Sequence, residues 1–403
     1  MVLSSAFYSI GFGEKMRVAI YSGVIPSTTF IENLIKGVAE TGVDVYLFGT
    51  CDRRVRYTYP NIHTFSTPRN KALLLVSVIG RFISLGITCP QRMRILFCYL
   101  CQRRSVKSFR VWGKLLPVVL HLPDVFHLQW TKSAEDWLFL KQMGVKMVIS
   151  FRGSHINYSP VCNEHLAASY RRCLSEYDAY HCVSYSIMHR GEEYGASERK
   201  STVIYPAVDD NLLKVQLDRE PSGTLRILSV GRAHWIKGYT VALEAMAILK
   251  EKGIAFHYTL VAGGEEELVY TVSDLNLSSE VTLLDNLPQK MVFEQHANAD
   301  LFLLSSFEEG IANVVLEAMA LGTPVVATNC GGMGEVILDG ENGLIVPIRN
   351  PQAMADAIIR FTMMSEAKKR SIVNCAKETI RQNHLLSHQV SQMVRLYERV
   401  YNA

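Results

Sequence analysis

No acidic residue occurs between Arg53 and Pro123, an absence that separates this stretch from the rest of the 403-residue chain. Long apolar runs are also missing. The longest candidate, Ala72 to Ile87, is broken by Arg81, so no transmembrane helix is expected. The first fifteen residues lack a basic leader and a long apolar stretch, so no signal peptide is expected there. They read as an extension ahead of Met16 or an upstream start choice. The nine cysteines are odd in number and irregularly spaced, so they form no disulfide framework. Cys98 and Cys101 make a lone C-x-x-C with no second pair and no nearby histidine couple. Reduced core thiols are expected there rather than zinc, in a reducing compartment. The net charge of +4 is too mild to imply nucleic acid. With 48% hydrophobic residues and no glycine or proline period, the chain is neither disordered nor fibrous.

Length predicts two or three domains, at about 150 residues each. The N-terminal half alternates strands and helices. Short apolar runs at 17–22 and 43–49 flank a helical pattern over 29–41, which makes one βαβ unit. Further strands are predicted at 125–130, 145–151, 179–184 and 202–205, with helices near 133–143 and 164–176. The C-terminal half repeats the alternation. Strands are predicted at 226–231, 257–263, 281–284, 300–305, 324–328 and 344–347, with helices notably at 238–252 and 313–321. Two such runs predict an α/β protein of two doubly wound Rossmann-like domains. Pro206 interrupts the pattern, so the expected domains are 1–205 and 206–385. Residues 386–403 then form a terminal helix with Leu386, Val390, Met393, Val394, Tyr397, Val400 and Tyr401 on one face. That face packs inside the second domain or returns to the first, and the return is expected.

Two segments carry chemistry. In SVGRAHWIKGY (229–239) a buried strand ends at Val230 and Gly231 permits a sharp turn. Arg232 follows, and Lys237 stands where the next helix begins. Two cations at the carboxyl end of a parallel strand, beside a helix N-terminus, suit an anion. Arginine grips phosphate oxygens as a fork and lysine acts as a point charge. Surface Arg and Lys are common, so these residues alone also fit an ordinary exposed loop. In SSFEEGIANVVLEAMALGTPVVAT (305–328), Glu309 lies in a loop and Glu317 just inside a helix that Asn313 can cap. Carboxylates there suit sugar or ribose hydroxyls. The backbone N–H groups of Ile311, Ala312, Asn313 and Val314 suit a diphosphate. Glu317 also fits an ordinary glutamate favoured by the helix dipole.

Together the segments resemble the retaining glycosyltransferases of family 4, which have the GT-B fold. The residues concerned are V-G-R…K-G (230–238), E-G-I-A-N-V-V-L-E (309–317), its continuation to Ala327, and G-G-M-G-E-V-I-L-D-G-E-N-G-L-I-V-P (331–347). The likeness is looser in P-S-T-T-F-I (26–31), D-V-F-H-L-Q-W (124–130) and S-F-R-G-S (150–154). It implies two facing domains, the first binding the acceptor and the second the nucleotide sugar. It implies a hexosyltransferase-type enzyme that keeps the anomeric configuration and uses no metal or other cofactor. The absence of a D-x-D triplet agrees with that. Arg232 and Lys237 would hold the donor diphosphate, with Gly231 shaping the turn before them. Glu309 would bind donor-sugar hydroxyls beside Gly310, and Glu317 would accept from the ribose. Glu309, Arg232 and Lys237 would be the catalytic set.

One departure from that family concerns the acceptor side. Many relatives have a histidine before the glycine of this segment. Here Arg152 precedes Gly153, and His155 stands at the place of an aspartate. Arg152 meets an acceptor phosphate or the leaving group, or is structural. His127 is either a catalytic base or a satisfied core or interdomain histidine.

The acid-free stretch 53–123 holds thirteen basic residues: Arg53, Arg54, Arg56, Arg69, Lys71, Arg81, Arg92, Arg94, Arg103, Arg104, Lys107, Arg110 and Lys114. The remainder of the chain therefore carries +4 − 13 = −9. Phe97, Tyr99, Phe109 and Trp112 are interleaved with the charges. Docking on an anionic membrane surface is the expectation; nucleic acid and a merely solvated face are the competing readings. The expected function is bacterial polysaccharide or lipopolysaccharide biosynthesis, with a glycan or lipid-linked oligosaccharide acceptor. The protein would be cytoplasmic, peripheral to the inner face of the membrane. A nucleotide-sugar epimerase of the same fold, or a non-catalytic subunit of a glycan assembly complex, are the alternatives.

Overall fold

Fourteen short strands fall into two sheets in a computed structural model that describes residues 15–51, 55–217 and 223–403. The leader before Lys15, and Arg53 and Arg54 of the basic stretch, lie outside the described residues. In the first sheet the strands are β1 (Arg17–Tyr21), β2 (Gly23–Ile25), β3 (Asp44–Cys51), β4 (Ile62–Thr67), β5 (Val125–Leu128), β6 (Lys146–Phe151), β7 (Ala179–Cys182) and β8 (Ser201–Val203). Their order is β2-β3-β1-β5-β6-β7-β8, with β4 also paired to β3. The second sheet comprises β9 (Leu225–Val230), β10 (Phe256–Val261), β11 (Val281–Leu284), β12 (Leu301–Leu304), β13 (Val325–Thr328) and β14 (Leu344–Val346). Its order is β11-β10-β9-β12-β13-β14, parallel throughout. Parallel strands need covering on both faces, which is why β5, β7, β12 and β13 are buried at every position.

The helices are α1 (Thr29–Glu40), α2 (Lys71–Thr88), α3 (Pro90–Gln102), α4 (Phe109–Leu120), α5 (Ser154–Asn157), α6 (Glu164–Cys173), α7 (Tyr185–Glu192), α8 (Tyr239–Glu251), α9 (Glu266–Asp274), α10 (Gln289–Ala297), α11 (Asn313–Leu321), α12 (Pro351–Thr362), α13 (Glu366–Asn383) and α14 (Leu386–Tyr401). The two sheets open alike. Arg17 donates its backbone N–H (2.8 Å) and its guanidinium (2.6 Å) to Asp124, the residue before β5. Arg226 does the same to Asp300, the residue before β12, at 2.9 and 2.8 Å. Each bidentate pair pins the first strand of its sheet to its central neighbour.

Two compact units result. One comprises 1–129, 136–148 and 394–403; the other comprises 130–135 and 149–393. The first sheet's last strand, β8, ends at Val203, and the second sheet's first, β9, begins at Leu225. Compactness groups 149–205 with the second sheet: the N–H groups of Tyr185 and Ser186 bond Glu335, and Asn157 Nδ2 bonds Glu308.

Several expectations change. The helix near 133–143 is a run of 3₁₀ turns broken at Ser133 (φ −107°, ψ 22°). On α14, Leu396 is buried and Tyr401 exposed, so the buried face runs through Val390, Met393, Leu396, Tyr397 and Val400. Cys98 and Cys101 are exposed, because Leu96 and Leu100 are the residues that α3 turns inward. All cysteines are free, and among the described residues no three His, Cys, Asp or Glu cluster as a metal would need. Finally, α2 is long and apolar enough to cross a membrane by length and composition. Arg81 does not break it, because that side chain turns inward and donates to the Ser66 carbonyl at 3.0 Å.

Candidate active site

The second unit brings the two chemistry-bearing segments together at the carboxyl ends of β9 and β12. After Val230 the chain leaves the sheet through Gly231, whose N–H still bonds the Val261 carbonyl at 2.9 Å. Arg232 follows and is exposed. A single 3₁₀ turn, Trp235–Lys237, then leads to Gly238 at φ +62° and into α8. Glycine is required there. Its conformation is left-handed, and a Cβ would lie 2.3 Å from the Ser305 carbonyl oxygen.

That close approach stitches the loops to each other. Ser305 Oγ donates to the Lys237 carbonyl at 2.7 Å, and Phe307 N–H to the Ile236 carbonyl at 2.7 Å. Lys237 Nζ consequently reaches Glu309 Oε1 at 2.5 Å, and Ser306 Oγ donates to the same oxygen at 2.9 Å. The pair is largely shielded, with side chains 18% and 17% exposed. The Glu309 loop is held from below by Gly331 and Gly332. Gly331 has φ +53°, a Cβ on it would fall 1.8 Å from the Glu309 carbonyl oxygen, and Gly332 N–H bonds Gly310 O at 2.9 Å.

The chain enters α11 from extended Ala312, so Asn313 is the first helical residue and its side chain does not cap, contrary to expectation. The Ala312 N–H meets Met333 Sδ at 3.4 Å. The N–H groups of Ile311, Asn313 and Val314 make no hydrogen bond among the described residues, which leaves donors for an anion. Glu317 lies in the second turn. Gln289 Nε2 donates to it at 3.0 Å, and burial raises its carboxyl above the usual range while that bond lowers it.

The candidates after β6 adjoin this loop. Gly153 (φ +38°) turns the chain so that a Cβ on it would stand 3.7 Å from Gly310 N. Asn157 Nδ2 donates to Glu308 Oε1 at 2.8 Å, and burial raises the Glu308 carboxyl. His155 has a buried Nδ1 without a partner and packs edge-on to Trp130. Burial, with help from Lys132, lowers its pKa to about 4, so it is neutral near pH 7. The charge of Arg152 reaches buried His181 and helps to lower its pKa. Arg152, Gly153 and His155 thus belong to the same compact unit as Glu309. His127 does not. It is fully buried in the first unit, with Nδ1 2.7 Å from Tyr397 Oη and 3.0 Å from Gln129 Nε2.

Sequence reasoning missed Glu308, Asn157, Ser306 and Gln289 as members of this network. For Gln289 a signal existed, since it opens the helix after β11 at the same edge of the sheet.

Residues 224–363 match the family model described as glycosyl transferases group 1. Amylovoran biosynthesis glycosyltransferase AmsK of Erwinia amylovora is 27% identical over 94% of this chain and 99% of its own. The putative colanic acid biosynthesis glycosyltransferase WcaL of Escherichia coli is 29% identical over 64% of this chain and 66% of its own. Among solved structures, sucrose-phosphate synthase from Thermosynechococcus elongatus has a TM-score of 0.75 at 18% identity, covering 96% of this chain and all (100%) of that one. Anabaena HepE, solved with UDP-glucose, has a TM-score of 0.67 at 16% identity, covering 96% and 99%. The fold, two parallel-sheet Rossmann-like domains, is that of GT-B glycosyltransferases.

Proposed function

We propose that the chain is a retaining, hexosyltransferase-type glycosyltransferase that moves a sugar from a nucleoside-diphosphate donor to a lipid-linked glycan acceptor in polysaccharide biosynthesis. The observation that supports this reading is the 2.5 Å contact of Lys237 with Glu309, a cation and a carboxylate side by side at the strand ends. Breaking the sugar–phosphate bond builds negative charge on the departing diphosphate and positive charge on the sugar ring. Arg232, Lys237 and the unpaired N–H groups at the start of α11 are preplaced for the first, and Glu309 for the ring and its hydroxyls. Glu317 accepts from the ribose. Two cations and a helix start serve the leaving group in this scheme, so no resident metal is invoked. Supporting context comes from AmsK and WcaL, whose names place them in polysaccharide biosynthesis. The acid-free stretch supports docking at the cytoplasmic face of the membrane.

The test is incubation of the purified protein with labelled UDP- and GDP-sugars and a lipid extract. Label appearing in the lipid fraction, with retained anomeric configuration by NMR, is expected. Release of a rearranged free nucleotide sugar, or no turnover of any donor, would sink the reading.

A further inference from the structure

In the first unit, α2 is apolar nearly all round yet has water on one side. Of its eighteen residues only Leu74, Val78 and Leu85 are buried. These share a stripe with Arg81, at helical spacing. On the opposite side Leu75, Val76, Ile79, Phe82, Ile83 and Ile87 are between 42% and 77% exposed. A surface helix ordinarily carries polar residues there, and a contiguous apolar face marks a binding surface. The inner stripe fixes the helix along α4, where Leu74 comes within 2.5 Å of the position a Cβ on Gly113 would take. So α2 lies flat on its unit. Of the interleaved aromatics, Trp112 is buried and Tyr99 stacks on Phe139 at 4.4 Å, while Phe97 and Phe109, on α3 and α4, are exposed.

Beside α2 is a cavity of about 380 Å³, in the size range of small-molecule sites. Arg69, Arg110 and Lys114 line it, together with Tyr21 and Thr50, and no carboxylate does. Lys114 reaches Asp136 at 3.2 Å, and Arg103 shares that carboxylate at 3.1 Å. Leu74 also lines the cavity, while its neighbours Leu73 and Leu75 are exposed. The apolar rim of the cavity is therefore continuous with the outer face of α2.

We propose that this cavity seats the phosphate-bearing head of an amphiphilic acceptor, whose chain stays in the bilayer against the outer face of α2. The inference rests on the reading of a lipid-linked acceptor and adds the residues that recognise it. Charge complementarity points to a lipid anion, since no Asp or Glu occurs from residue 55 to 123. The apolar face favours a lipid over a nucleic acid, which would leave it in water.

The experiment is sedimentation of the full chain with three kinds of vesicle: phosphatidylcholine alone, with phosphatidylserine, and with a polyprenyl phosphate at matched charge. Preference for the polyprenyl phosphate is expected. Arg69→Ala/Arg110→Ala should remove that preference, lowering affinity for those vesicles by roughly tenfold or more. Ile79→Ser/Ile83→Ser should weaken binding to all vesicles. Nucleoside-diphosphate affinity, which resides in the other unit, should be unchanged in both and reports folding and the donor site separately. Equal binding to the two anionic vesicles, a preference that survives loss of both arginines, or capture of single-stranded RNA in place of vesicles would overturn the proposal.

Discussion

Lys237 and Glu309 hold each other in a shielded place, so each is costly to remove alone. Lys237→Ala strands Glu309 and, on the proposed function, also deletes a cation that faces the leaving group. Its turnover should fall by orders of magnitude, since one such stabiliser is worth about 2.7–4 kcal/mol of barrier. Arg232 is exposed, and Arg232→Ala should lose turnover without losing stability. The double variant Lys237→Ala/Glu309→Gln should regain stability over Lys237→Ala while remaining inactive. Urea melts beside steady-state rates decide this; near-native turnover in folded Lys237→Ala would refute the assignment. A second residue-scale case is His181. Its Nε2 faces the Ile204 carbonyl at 3.0 Å, and its Nδ1 lies 2.8 Å from Ser150 Oγ, an arrangement for the neutral ring. Burial, with Arg152, lowers its pKa from 6.5 to about 3. The unfolded chain then takes up the proton first. Stability is full above the unfolded value and is lost as pH falls from there toward the folded one. Between about pH 6 and 5 this one group should contribute a slope of about 1.4 kcal/mol per pH unit. His181→Gln should flatten the measured slope by that amount; an unchanged slope would show that the ring does not titrate with folding. His121, His155 and His384 are shifted in the same direction by burial and add to the wild-type slope.

At the scale of elements, the site depends on two glycines rather than on helix dipoles alone. Gly238 and Gly331 both have positive φ, and at both a Cβ would enter a carbonyl oxygen of the Glu309 network. Gly238→Ala and Gly331→Ala should each cost about 1–3 kcal/mol in strain and loosen the Lys237–Glu309 contact. Gly340→Ala is the control: it has a similar φ of +74° but nothing within 4 Å. It should cost stability and spare turnover. If all three variants lose activity equally, the close approach is irrelevant to the site. Both glycines lie in motifs that were legible in the sequence, as was α11 with its bounds at 313 and 321, because dense apolar residues and a following Gly322 mark such a helix. The short β2 and the mixed β4 were not predicted, since three residues beside a glycine, or a run with exposed polar positions, carry no strand period. For α2 the charge of Arg81 was visible but the side it faces was not. Only the packing on β4 and α4 shows that it points inward.

Across the whole molecule, the order of the chain is not the order of its compact units. Residues 394–403 join the first unit although they follow the second in sequence, and 149–205 join the second although their strands complete the first sheet. The sequence predicted a helix at 386–403 with an apolar face, but periodicity fixes only that a face is buried, not against what. The contact that answers this is Tyr397, fully buried, whose hydroxyl lies 2.7 Å from His127 Nδ1. Leu396 and Val400 are buried beside it. Deleting 394–403 removes three apolar side chains worth roughly 1.5–3 kcal/mol each, and it leaves the His127 ring without its hydroxyl partner. Such a loss is comparable to the whole stability of an ordinary domain, about 5–15 kcal/mol. The first unit should therefore melt well below its normal temperature, while the second, which keeps Arg232, Lys237, Glu309 and Glu317, should still bind nucleoside diphosphate. Calorimetry of the truncated chain should show two separated transitions, with the nucleotide raising only the upper one. Tyr397→Phe, which keeps the packing and loses the hydrogen bond, should shift the lower transition by only about 1 kcal/mol. A single transition at the full-length temperature would mean that the C-terminal residues do not support the first unit, and that α14 is held by the second unit alone.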